Sequence, residues 1–171
     1  MMKVPKHFKR DVMYIEPIYD EIYMCQAVSA SGVIRYKKSS EQWLNEYLTY
    51  FYSTNLAAIR SHVKINFDIH RMIPICVDLD YQFILFPLNS SKNKNVYFLN
   101  LSKVYRFFKR ENQTVIEFIC GEELVVDIPL SQCESQYNKA TRIYDKYVKF
   151  KQFRERYLST TVETIYTINH K

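Results

Sequence analysis

The chain runs through two hydrophobic periods in turn. Ile73–Val77 and Tyr81–Leu85 are apolar runs rich in β-branched and aromatic residues, split by Asp78-Leu-Asp80 and punctuated by Pro74 and Pro87. Each is too short for a helix, and proline is tolerated in a sheet only at strand ends or edges, so both read as buried strands. Val96–Leu101 supplies another. Further on, Ile116, Phe118 and Cys120 alternate with Val115, Glu117 and Ile119, and Leu124, Val126 and Ile128 alternate with Val125 and Asp127. With hairpin turns at Lys109–Gln113 and Gly121–Glu123, residues 73–128 predict an antiparallel meander. Val12–Ile15, Ile22–Val28 and Val33–Tyr36 predict an earlier β segment, with Gly32 at a turn.

Two stretches switch to the helical period. Ser39-Ser-Glu-Gln42 has the form of a capping box, in which the Ser hydroxyl and the Gln side chain satisfy two amides reciprocally. Leu44, Tyr47, Leu48 and Phe51 then follow at i, i+3, i+4 and i+7, the stripe of an amphipathic helix. Ser53-Thr-Asn55 interrupts it, and Leu56, Ile59 and Val63 start a second piece. Ser131-Gln-Cys-Glu134 is a second capping box, opening a helix whose stripe is Tyr137, Ala140, Tyr144, Tyr147 and Phe150 or Lys151. The expected class is therefore α+β: a mainly antiparallel sheet with helices at about 39–62 and 131–157. A single domain is expected across 1–171, with flexible ends at 1–10 and 159–171; the second end has β propensity but no evident partner.

Composition narrows the chemistry. The 171 residues include only two glycines, so Asn93, Asn95, Asn112 and Asp78 are expected at turns, where they tolerate left-handed backbone best after glycine. Cys25, Cys76, Cys120 and Cys133 lack metal-site or disulfide-framework spacing, which favours a reducing cytoplasm. Cys76 and Cys120, inside apolar runs, are expected to act as small hydrophobes. His7, His62, His70 and His170 form no metal-spaced set, and Asp78 and Asp80 suit a turn better than a cation site. No enzyme activity, cofactor or metal is expected. No segment approaches the length of a membrane span.

Charge points to a polyanion. Lys and Arg number 24 against 18 Asp and Glu, a net charge of +6. Lys92, Lys94, Lys103, Arg106, Lys109 and Arg110 lie within one stretch that holds no acidic residue before Glu111. Strict alternation from Lys103 to Lys109 puts Lys103, Tyr105, Phe107 and Lys109 on one face and Arg106 on the other. A basic strand edge also serves to block aggregation, which is the plain alternative. Arg60, His62, Lys64, His70 and Arg71 form a further group flanking the second helical piece, its histidines expected as surface or core-edge residues rather than ligands. No helix-turn-helix, zinc finger or basic zipper is visible, so strands and loops are the expected reading elements.

Pro74-Ile-Cys-Val-Asp78, Phe83-Ile-Leu-Phe-Pro-Leu-Asn-Ser-Ser91, Pro129-Leu-Ser131 and Gln136-Tyr-Asn138, in this order and spacing, resemble the ComK family of bacterial competence transcription factors. The similarity runs from about Phe51 to Phe153. It departs from the family pattern at Arg71-Met-Ile-Pro74, Leu88, Ala57-Ala-Ile-Arg60 and Val96-Tyr97. The resemblance implies an activator that binds paired A·T-rich boxes largely through the minor groove, as a homo-oligomer, and that is turned over through a Clp-protease adaptor.

The expected function is DNA-binding transcriptional activation of competence genes in the cytoplasm. Lys92, Lys94, Lys103, Arg106, Lys109 and Arg110 are the first candidates for DNA contact, with Arg60, Lys64 and Arg71 next and Asn93 and Asn95 at base edges. The rival is a protein-interaction module without DNA binding that titrates partners or an adaptor, using aromatic surface on the C-terminal helix. A more remote reading is RNA binding, with Tyr and Phe stacking on unpaired bases.

Overall fold

The computed structural model describes residues 6–169, with side chains through 159. Its centre is a six-stranded antiparallel sheet in the order β3-β2-β1-β6-β5-β4, built from β1 (Val12–Pro17), β2 (Cys25–Ser29), β3 (Gly32–Tyr36), β4 (Ile75–Asp78), β5 (Phe83–Pro87) and β6 (Phe98–Asn100). Every residue of β5 is buried, because both faces of the sheet are covered. Period two divides that strand: Phe83 and Leu85 join the cluster under the first two helices, while Ile84 and Phe86 join the cluster on the opposite face.

The first covering layer is α1 (Ser40–Tyr52) and α2 (Leu56–Phe67). The Ser39/Gln42 capping box forms as expected. The interruption is a helix stop at Ser53, in left-handed backbone, followed by Asn55, whose side chain caps α2 through the Ala58 N–H. The helical region is thus two helices, and it runs on to Phe67 rather than ending near 62. Trp43, Leu44, Tyr47 and Leu48 of α1 and Leu56 and Ile59 of α2 pack on Ile15, Cys25, Ile75, Val77 and Phe98.

The opposite face carries a second sheet, β7 (Val104–Arg110), β8 (Gln113–Phe118) and β9 (Glu123–Val126), together with α3 (Leu130–Asn169). The expected continuous meander is therefore split between two sheets. Asn100 makes the break: its Oδ1 accepts from the Ser102 N–H (3.2 Å), turning the chain after β6, while its Nδ2 donates to the Val12 carbonyl (2.8 Å). β1 then fills the place beside β6.

Several further expectations are corrected. α3 begins at Leu130, before the Ser131 box could act, with the Pro129 carbonyl accepting from the Gln132 and Cys133 amides. It continues to Asn169, so the β-prone tail is helical as far as it is described. No glycine or proline follows Pro129 to stop the helix, and a lone strand without an edge to join gains nothing. The N-terminal arm is held down at Phe8, which is buried against Trp43 and Tyr47; residues 1–5 lie outside the described residues. Left-handed backbone falls on Ser53, Asp68, Met72, Gln82, Lys94 and Glu111, not on Asn93, Asn95, Asn112 or Asp78. Asn93 and Asn112 do lie in turns, without left-handed backbone, and Asn93 and Asn95, like Asn89 for Tyr97 (3.0 Å), use side-chain oxygens to accept from backbone amides. Cys120 lies past the end of β8 and is exposed.

Gln136, on the buried side of α3, donates from Nε2 to the carbonyls of Met72 (2.9 Å) and Pro87 (2.8 Å) and so joins that helix to β5 and to the segment before β4. Gln136→Leu removes both donors and should lower stability by about 2 kcal/mol, read as a lower urea midpoint. A loss below about 0.5 kcal/mol would contradict this role. Burial lowers the imidazole pKa of both His7, against the pull of Glu46, and His62, where Arg154 acts in the same direction. Both are thus held neutral when folded, and the unfolded chain binds more protons. Stability should be fully present above about pH 6.5 and fall as the pH drops below it. The double substitution His7→Phe/His62→Phe should flatten that acid limb, and an unchanged limb would contradict the assignment.

Candidate nucleic-acid interface

The polar segment between β5 and β6 is fastened to the start of α1. An α-helix leaves its first amides without partners, and here the loop supplies them. The Ser40 N–H donates to Asn95 Oδ1 (3.1 Å), and the Glu41 N–H to the Lys94 carbonyl (3.1 Å). The Ser40 hydroxyl donates to the Val96 carbonyl (2.6 Å) and accepts from the Val96 N–H (2.7 Å). Asn95 Nδ2 also donates to the Met24 carbonyl (2.8 Å). Asn95 is consequently buried and fully engaged, so it is a fold residue and cannot reach a base edge as expected. Asn93 differs. It is exposed, its Oδ1 accepts from Ser91 Oγ and from the Asn95 N–H (3.2 Å), and its amide N–H groups point to no partner among the described residues.

Between these anchors the loop closes a tight turn, Lys94 N–H to Ser91 carbonyl (3.1 Å), with Lys94 left-handed. Lys92 and Lys94 are exposed on it. The neighbouring surface is a cleft of about 200 Å³ whose lining includes Arg60 and Lys64 of α2, His70, and Ser90 and Ser91 of the loop. Glu41 is the one carboxylate in that lining, and it is paired with Arg60. Lys64, Arg71, Lys92 and Lys94 have no ion pair among the described residues, whereas Arg60 and His70 are matched by Glu41 and Asp68.

The second group of candidates is placed differently. A bulge between Val104 and Arg106 breaks the expected alternation, so Tyr105 and Arg106 are both exposed while Val104 is buried. Arg106 lies opposite Glu117 and pairs with it. Arg110 reaches across β8 to hold Glu123 with two bonds (2.8 and 3.2 Å), and this holds the Glu123 carboxyl below its ordinary pKa. Both guanidiniums flank the Phe108 ring, at 4.9 and 5.4 Å from its centroid. Lys109 lines a separate recess that also contains Asp127 and Glu134. Lys103 lines another, with Met13, Phe118 and Cys120. The eleven candidates thus fall into one set around the loop and α2, one charge-balanced sheet face, and two isolated lysines.

Lys139 of α3 was missed by the sequence reading. Its Nζ donates to the Arg71 carbonyl (3.0 Å), and its pKa is lowered by burial and by nearby Arg142. The available signal was spacing: Lys139 follows Gln136 by three positions and therefore shares its side of the helix.

Residues 8–152 match the family model described as ComK protein, and the chain belongs to the ComK family. No curated protein and no solved structure matches the chain. Family membership points to a competence-related transcription factor rather than an enzyme. Among the described residues no helix is long and apolar enough to cross a membrane.

The two loop asparagines should separate cleanly by stability. Asn95→Ala strands the buried Ser40 N–H and leaves the Met24 carbonyl with the Ile18 N–H alone, and should cost about 1–3 kcal/mol in chemical denaturation. Asn93→Ala, losing only contacts at an exposed turn, should cost under about 1 kcal/mol. Equal effects would contradict the division of roles.

Proposed function

We propose that this ComK-like domain is a sequence-specific DNA-binding activator of competence genes, meeting A·T-rich duplex through the minor groove with the 89–95 loop and the adjoining flank of α2. The observation that carries the reading is the set of cations without an ion pair among the described residues: Lys64 lines the cleft, Arg71 and Lys92 directly adjoin its lining residues His70 and Ser91 in the chain, Lys94 lies on the same loop, and Glu41 in the lining is already paired with Arg60. A polyanion is the natural counterpart of such a surface, and narrow A·T minor grooves concentrate negative potential. Asn93 fits the same picture. Its amide donors match the adenine N3 and thymine O2 acceptors that line that groove.

Arg106 and Arg110 are the weaker candidates, since Glu117 and Glu123 cancel much of their field. Exposed pairs are worth only about 0–1 kcal/mol, so phosphates can still compete for them. Their face, with Tyr105 and Val125 exposed, suits a protein contact at least as well as a nucleic acid. The exposed Phe153–Tyr157 stack on α3 favours the same kind of contact, which keeps a homo-oligomer and a Clp-protease adaptor as partners of this reading.

Binding to A·T-rich duplex, followed by fluorescence anisotropy with a G·C-rich control, tests the proposal. Four phosphate contacts predict a log–log salt slope of about −3.6. Lys92→Glu/Lys94→Glu should weaken binding by at least about tenfold near 0.1 M salt and reduce the slope by about 1.8, while Arg106→Glu/Arg110→Glu should do much less. The reverse order would move the interface to the sheet face, and salt-independent binding would remove the electrostatic account.

A further inference from the structure

A second cavity, of about 440 Å³, opens between α2, β4 and α3. On α2 it takes Ala58, Ile59 and His62, which lie roughly opposite Arg60 and Lys64 at 100° per residue, so the basic cleft is on the other flank of the helix. The size falls in the range of about 300–1,000 Å³ usual for small-molecule sites. Its walls are largely apolar, with Ile59, Val77, Tyr147 and Phe150 contributing.

Two polar features single it out. His62 Nε2 is buried and has no hydrogen-bond partner among the described residues. The tautomer is set by Asn66, whose Nδ2 donates to the His62 carbonyl (3.0 Å) and therefore also presents its amide hydrogens to His62 Nδ1 (3.1 Å). With Nδ1 accepting, the neutral ring carries its proton on Nε2, a donor with no acceptor among the described residues. The second feature is charge at the mouth. Lys151 is engaged by Asp80 (3.2 Å), whereas Arg154, close enough to act on the His62 charge, has no ion pair among the described residues.

We propose that this cavity binds a small organic monocarboxylate, with the carboxylate at Arg154, the apolar body lying between Ile59, Val77, Tyr147 and Phe150, and the enclosed His62 ring turning toward the cavity to donate from Nε2–H. One uncompensated guanidinium at the rim suits a single negative charge rather than a polyphosphate. A ligand held this way joins α2, β4 and α3 and stabilises the folded chain by mass action.

The test is thermal denaturation and NMR titration of the full chain with octanoate and 4-phenylbutyrate, using octanamide as the uncharged control. A saturable, one-to-one rise in Tm is expected with at least one carboxylate, together with displaced His62 imidazole resonances and about tenfold weaker binding of octanamide. His62→Phe, which keeps the aromatic packing but removes the N–H, should weaken carboxylate binding about tenfold. Arg154→Glu, at an exposed position, should abolish the preference for the anion. Absence of saturable binding by either carboxylate in the unmodified chain would overturn the proposal. So would equal binding of octanamide, or carboxylate binding untouched by both substitutions.

Discussion

The arrangement rests on one exchange of hydrogen bonds. The first amides of α1 need acceptors and the buried end of the 89–95 loop needs donors, and Ser40, Glu41, Lys94, Asn95 and Val96 satisfy each other. Without that exchange the loop would be an unanchored lysine-bearing turn. With it, two exposed lysines stand at a fixed place beside α2, and their charge adds to that of Lys64 and Arg71. Holding the cations in place before a ligand arrives removes part of the ordering cost of binding.

The central sheet makes this possible by being covered on both sides. β5 ends directly at the loop, and its five buried residues are gripped by α1 and α2 on one face and by the second sheet and α3 on the other. Gln132 and Gln136 extend that grip to the loop's entrance, donating to the carbonyls of Leu88 (2.6 Å) and Pro87 (2.8 Å). Fold and site therefore share residues. The same layering leaves the cavity beside His62 where α2 and α3 diverge around β4.

What the sequence made legible was local. Apolar runs announced β4 and β5, and the Ser39–Gln42 box announced α1, because strand burial and capping are written in neighbouring residues. The placement of β1 between β2 and β6 was not legible, since its pairing with Phe98 and Leu99 spans more than eighty positions and leaves no mark in either segment. The run of α3 past 157 was misjudged through its β-branched residues, when the lack of any stop signal after Pro129 was the better guide. In the site, charge spacing drew attention to Lys92 and Lys94, which the structure leaves exposed, but it could not tell Asn93 from Asn95. That distinction is burial, and burial is decided by α1. The pairing of Arg106 with Glu117 was closer to reach, because the hairpin turn brings the two strands together, but the bulge at Tyr105 sets which side chains face one another.

The central claim is that the anchored loop, and not the ion-paired sheet face, is where this domain meets a nucleic acid. Backbone amide chemical shifts, followed while an A·T-rich duplex is titrated in, address it directly. The account predicts that the largest changes fall at Lys92, Asn93 and Lys94 and continue onto Lys64 and Arg71. Changes confined to residues 105–110 and 117–123, or no changes at all, would contradict it.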